Sequence, residues 1–389
     1  MKINRLHSNL LCLQFRRKSH TKIKIIFTII FLISPLADTY SKNFYLSSSI
    51  GNDSYTATQA QNPSTPWKTI EKINNSMNLI DPGDSILFKR GDVFFGNILF
   101  TRSGSIGMKI AFSAYGTGPL PVISGARPVT NWIRYSGNIW QSDLPELTNK
   151  ITNLLINGET MQMGRYPNSD AQNKGYLIID SHSGRTSITS SSLSGFNWTG
   201  AEAVIRTKRW ILDRVGIQLH QNNTLTFNLS TSYEISDGFG YFIQNHLGTL
   251  DKEGEWFYNP AQKRLFLYSI SDPNLKKVEA SSIATTFEAN SIQYFSVSNL
   301  ELRGASNSAI NILSSGQFDL INNSVTRSGN LGINIRNCTN GIINFNEIRS
   351  PNNNGIAILG SNSMQINNNI LKCIGIRHGM GDSTNGQYR

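Results

Sequence analysis

From about residue 292 the chain repeats itself every 23 residues, and no other feature narrows the choice of fold so far. The apolar residues Leu302, Val325, Ile348 and Ile370 recur at steps of 23, 23 and 22, and the pairs Ile310/Ile312, Ile333/Ile335 and Ile356/Ile358 recur at steps of 23. Members of each pair are two residues apart, which is the spacing of one face of a strand. The small residues Ala309, Gly332 and Gly355 precede them. Each unit therefore holds short strands and tight turns. It is too short for a propeller blade and lacks a Leu-rich consensus, so it suits an all-β chain wound as a parallel β-helix, with coils stacked at ~4.8 Å.

Asparagine supports that choice. Between residues 292 and 370 there are 18 of them, too many for an ordinary sheet, and Asn323, Asn346 and Asn368 fall in one column ahead of Val325, Ile348 and Ile370. Stacked amides can bond to one another and to turn backbone, which satisfies groups that a buried corner would leave unpaired.

Chemistry on such a stack belongs to outward strand positions. With Leu300 and Leu302 pointing in, Glu301 and Arg303 point out. Successive coils place Ser324/Thr326, Glu347/Arg349 and Asn369/Leu371 on the same face. Glu301 and Glu347 would lie about 9.6 Å apart, two coil spacings, near the upper edge of the carboxylate separation of inverting glycosidases. Arg303 or Arg349 could instead neutralise a uronate during β-elimination. A plain ladder of surface ion pairs fits the same spacing.

The net charge of +11 first suggests a nucleic-acid partner, but its position argues against one. Lys2, Arg5, Arg16, Arg17, Lys18, Lys22 and Lys24 contribute seven of those charges with no acid before residue 38, which leaves +4 for the remainder. This basic stretch precedes an apolar run, Ile25 to Ile33, then Ser34-Pro35 and small residues at Ala37 and Ser41. Residues 1–37 thus read as a signal peptide, too short in its apolar part to span a membrane. Export to the periplasm or the medium follows, with no membrane span after cleavage. Of three cysteines, Cys12 would leave with the leader, and Cys338 and Cys373 fall in different columns as free thiols.

Residues 43–126 read as an N-terminal cap and the first coils. Ser64-Thr65-Pro66 ahead of Trp67, Ile70, Ile73 and Met77 has the form of an N-cap and an amphipathic helix of about three turns, able to cover the open end of the stack. Residues 127–290 lose the 23-residue rhythm and read as a β-rich insertion, holding Trp132, Trp140, Trp198, Trp210 and Trp256. Aromatic rings serve cores and sugar faces alike. Residues 291–389 resume the coils and stop without a polar cap, which suggests a truncated end.

Several stretches also resemble a known family. Tyr45-Leu46-Ser47-Ser48, Gly51-Asn52-Asp53, Pro66 to Ile70, Pro82 to Asp92, Ala114 to Gly118 and Pro121 to Gly125 are similar to the start of secreted bacterial right-handed parallel β-helix proteins of the pectin-lyase-like superfamily. Gly240 to His246, Leu250-Asp251 and Gly254 to Tyr258 resemble its glycosidase-like branch. The resemblance implies an exported, monomeric enzyme acting on a polysaccharide or oligosaccharide, hydrolase before lyase, with a non-catalytic carbohydrate-binding or adhesin β-helix as the other reading. Candidate catalytic residues are Glu301, Glu347, His378 and Asp382, the last two in a Gly-rich loop where His serves as acid or base. Candidate substrate contacts are Arg303, Arg349, Arg377, Tyr241 and His246. Folds of this kind can hold calcium, but no EF-hand spacing is present and no metal ligands are assigned.

Overall fold

Four left-handed positions per coil repeat with the period of 23. Left-handed backbone recurs at Asn299, Asn322, Phe345 and Asn368, at Gly304, Arg327, Ser350 and Cys373, at Tyr294, Gln317, Asn340 and Ser363, and at Ser291, Ser314, Asn337 and Gly360. Most of these are Asn, Ser or Gly, the types that tolerate such a turn at least cost. The computed structural model describes residues 41–147, 150–193 and 195–377, and the backbone of 387–388. The expected leader, residues 1–37, lies outside them, as do His378 and Asp382.

Between the corners run three parallel sheets. The first has seven strands, from Asn43–Leu46 to Gln365–Asn367; the second has six, from Val93–Phe95 to Ile370–Lys372; the third has five, from Ile98–Phe100 to Ile356–Leu359. The fold is the expected parallel β-helix. Its interior is a continuous apolar column in which Phe100, Phe112, Phe287, Phe295 and Phe318 pack ring against ring, Phe295 and Phe318 stacked at 5.5 Å. The small column has a steric cause: a Cβ at Gly332 would meet the Gly355 carbonyl oxygen at 2.4 Å.

The amide ladder is real but holds a different third member, Asn369 in place of Asn368. Asn323 Nδ2 donates to Asn346 Oδ1 at 3.0 Å, and Asn346 Nδ2 donates to Asn369 Oδ1 at 3.0 Å. Each Nδ2 also reaches a carbonyl of the preceding strand, Val297, Leu320 or Ile343. Asn368 occupies the left-handed corner beside the ladder instead. The last step is therefore 23, and Ile348 pairs in register with Leu371, while Ile370 and Lys372 take the outward places first assigned to Asn369 and Leu371. Two adjacent apolar residues and three adjacent asparagines made the alignment ambiguous by one position.

The capping helix is shorter than its pattern suggested. It spans Ile70–Asn75, with Thr69 as N-cap accepting from Lys72 N, and a single 3-10 turn follows at Met77–Leu79. Asp53 takes hydrogen bonds from Lys68 N, Thr69 N and Thr69 Oγ1, which holds Pro66 to Thr69 extended and lets Trp67 bridge to Leu46. Asn74 completes the cap: its side chain donates to Asn97 O and accepts from Leu99 N, so groups of the terminal third-sheet strand are satisfied.

One turn of the stack is replaced by a long excursion. The chain leaves after Val122–Ser124 and re-enters at Thr285–Asn290, residues first grouped with the insertion. They pair with Ile98–Phe100 and Ser308–Leu313 because Phe287 and Ala289 fill the coil interior. Residues 126–284 form antiparallel sheets around three apolar clusters of their own, one on Trp198 and Tyr241, one on Trp132, Trp140 and Trp256, and a small one of Val204, Leu212 and Phe242. Four of its five Trp are thus core residues; Trp210 is exposed. Thr152 and Asn153 tie the excursion to successive coils through Ser306 O, Arg327 O and Asn352. Gly329 makes room, since a Cβ there would lie 1.9 Å from Thr152 Oγ1. Among the described residues no helix is long and apolar enough to cross a membrane.

Candidate functional site

A cleft of about 600 Å³ opens where the excursion leaves and rejoins the stack. Its stack wall carries Glu288, which faces out because Phe287 and Ala289 on either side are buried. Its excursion wall carries Asp143, the last residue of strand Ile139–Asp143, and Glu146 in the turn that follows. Arg127 and Asn97 complete the polar lining. Asp143 accepts from Arg264 Nε at 2.6 Å, and that bond holds its carboxyl below the usual range. Three carboxylates from two separately supported segments therefore line one cavity. Beyond Glu288 the same outward column continues as Asn311 and Asn334, joined at 2.8 Å, with Arg336 Nε donating to Asn334 Oδ1. A row of amides along the axis offers donors and acceptors for hydroxyl groups.

The residues singled out from sequence are dispersed. Glu301 and Glu347 lie two strands apart with Ser324 between, as the period required, but neither lines this cleft. Glu347 is bound by Lys372 at 3.3 Å and by Arg349, which lowers its pKa. Arg303 turns away from Glu301 toward Glu279, a fully buried carboxylate also paired with Lys277 at 3.2 Å. Tyr241 cannot reach over any groove: it is fully buried in the excursion, where desolvation raises its pKa. His246 accepts from Gly248 N, and burial lowers its pKa. It lines a second hollow of about 380 Å³ with Tyr135, Phe257 and Phe266. Arg377 lines a third, of about 310 Å³, against the excursion. Among the described residues no group of three or more His, Cys, Asp or Glu is placed to hold a metal ion.

Sequence reading missed Asp143, Glu146 and Glu288. Glu288 had a signal, since stepping back 23 from Asn311 lands on it, but the insertion was taken to run two residues past it. Asp143 and Glu146 carried no periodic mark at all.

One solved structure shares the fold. A solved glycoside hydrolase superposes with a TM-score of 0.66 over 82% of this chain and 67% of its own, at 13% identity. The lacto-N-biosidase of Eubacterium ramulus gives 0.36 over 82% of this chain and 36% of its own, again at 13% identity. In sequence, 102 residues are 29% identical to a lacto-N-biosidase of Bifidobacterium longum subsp. longum, which is 26% of this chain but 6% of that protein's length. No family model matches.

Proposed function

We propose that this chain is an exported carbohydrate-active enzyme that hydrolyses glycosidic bonds in the cleft between excursion and stack, with Glu288 and Glu146 as its carboxylate pair. The observation that carries this reading is the convergence of carboxylates from two independently supported segments on one cavity, continued by the Asn311/Asn334 row. Glycoside hydrolysis needs one carboxyl to protonate the leaving oxygen and another to activate water or attack the sugar. Asp143, held ionised by Arg264, adds negative charge to the excursion wall of the cleft. The similarity to a lacto-N-biosidase segment and the leader-like residues 1–37 support a secreted sugar-active role. Lyase chemistry fits this cleft less well, because three carboxylates face one arginine and a uronate would be repelled.

The test is digestion of an oligosaccharide panel read for both new reducing ends and unsaturated uronates. Hydrolysis gives the first signal alone. Glu288→Gln and Glu146→Gln are expected to lower turnover by about 100-fold or more with unchanged melting temperature. Turnover within a few-fold of the parent removes them from the site, and an unsaturated product replaces hydrolysis by elimination.

A further inference from the structure

Five arginines among the described residues have an acid near the guanidinium: Arg264 has Asp143, Arg303 has Glu279, Arg327 has Glu159, Arg349 has Glu347 and Arg214 has Glu202. The two most buried arginines do not. Arg165 is 5% exposed and Arg377 is 9% exposed, and both line the same pocket of about 310 Å³ between excursion and stack. Arg165 Nε donates to Pro167 O at 3.0 Å and its Nη2 to Gly175 O. Arg377 Nη1 donates to Thr152 O at 2.9 Å and its Nη2 to Met161 O. Their flat faces lie against Phe242, at 3.7 Å from the ring centre, and Trp256, at 5.4 Å. Both groups are thus fixed in place, and among the described residues their hydrogen-bond partners are carbonyl dipoles rather than carboxylates.

Two buried cations sharing one cavity are costly, since each has lost water and neither forms an ion pair with an acid among the described residues. Burial lowers the pKa of Arg165 to about 10 and that of Arg377 to about 9. The acid Glu255 acts electrostatically on Arg165, while its own carboxylate accepts from backbone N–H groups, among them Asp251 N and Lys252 N at 3.1 Å. An apolar pair of similar volume would pack here at lower cost. The arrangement makes sense if an anion enters. Gln162, Ser169 and Gln244 also line the pocket, adding donors and acceptors suited to hydroxyl groups.

We propose that Arg165 and Arg377 together bind an oxyanion, the carboxylate or sulfate group of an acidic sugar. Planar guanidinium groups held by backbone present their remaining N–H groups in a fixed fork, the geometry that recognises such an anion. The sugar as carrier rests on the carbohydrate reading above; the anion site itself does not. A protein that binds the acidic sugar but hydrolyses nothing breaks the former alone, and a hydrolase indifferent to acidic sugars breaks the latter alone.

Calorimetric titration of the full chain with glucuronate, a glucose sulfate, glucose and inorganic sulfate at matched ionic strength decides the matter. At least one acidic sugar is expected to bind about tenfold or more tightly than glucose, and which one binds names the group. Arg377→Lys keeps the charge but loses the fork and is expected to weaken binding about tenfold. Arg165→Met and Arg377→Met abolish it with melting temperature kept or raised, because a buried charge has gone. Equal binding of all three sugars to the unaltered protein overturns the proposal, even where a variant fails to fold. Undiminished binding by Arg377→Lys also overturns it, and inorganic sulfate binding as tightly as either acidic sugar removes the sugar from it.

Discussion

Left-handed residues of the stack fall at strict 23-residue steps from Ser291 to Cys373, whereas those of the excursion, among them Asn131, Asn157, Asn173 and Asn222, fall at irregular intervals. The difference extends to polar groups. In the stack a buried polar side chain meets its own kind one coil away, as in the Asn323/Asn346/Asn369 ladder, or a small polar equivalent, as where Ser361 Oγ accepts from Cys338 N. In the excursion, antiparallel strands bring together segments with no common pattern, and buried ionisable groups such as Arg165 and Glu255 find only backbone partners. Regular repetition supplies polar partners coil after coil; irregular pairing leaves Arg165 with carbonyl hydrogen-bond partners, and it lines a cavity.

The ladder offers the largest effect by which to break this comparison. Asn346→Ala strands the bonds to Asn323, Leu320 and Asn369 inside the core and is expected to cost on the order of 3 kcal/mol or more. Asn368→Ala, at an exposed left-handed corner, should cost about 1 kcal/mol. Urea denaturation of both variants checks the pair, and the reverse order would return Asn368 to the ladder.

Two arginines of one outward column sharpen the contrast where stack meets excursion. Arg303→Ala leaves buried Glu279 short of a partner and is expected to destabilise by about 3 kcal/mol. Arg349→Ala, in an exposed pair with Glu347, should change stability by less than about 1 kcal/mol. Equal losses in thermal melts would show that the excursion adds no burial at this column.

Within the excursion, Glu255 gives a pH signature. Burial raises its pKa from 4.5 to about 7, so between those values the folded chain holds more protons than the unfolded one. Stability from this group is present below about pH 4.5 and is lost as pH rises through about 7, by on the order of 2–3 kcal/mol. Glu255→Gln should remove that slope in denaturation midpoints measured across the window. An unchanged slope would assign it elsewhere.

The smallest effect concerns the thiols. Cys338 is buried, with its pKa raised by desolvation, and Cys373 is exposed; neither is in a disulfide. Alkylation of the native chain followed by peptide mapping should label Cys373 alone of the two, and Cys338 only after unfolding. Labelling of both at equal rates would mean that the last coils open readily.

Much of the stack was legible because each residue's spatial neighbour lies one period away in the chain, so a one-dimensional pattern carries three-dimensional information. Strand faces, the small column of Ala309, Gly332 and Gly355, the corner asparagines and the separate columns of Cys338 and Cys373 all follow from that relation. Its limit was a single position at Ile370/Leu371 and Asn368/Asn369, where neighbouring residues of one type fit either alignment and only the bonds from Asn346 chose between them. The length of the cap helix was also beyond the pattern, because Asp53 holds the preceding backbone extended from outside the helix. The sites were decided by tertiary structure alone. Glu288 meets Asp143 and Glu146, and Arg165 meets Arg377, through a long excursion docked back on the coils. Antiparallel pairing and docking create such neighbours from segments far apart in sequence, and no repeat in the chain records them.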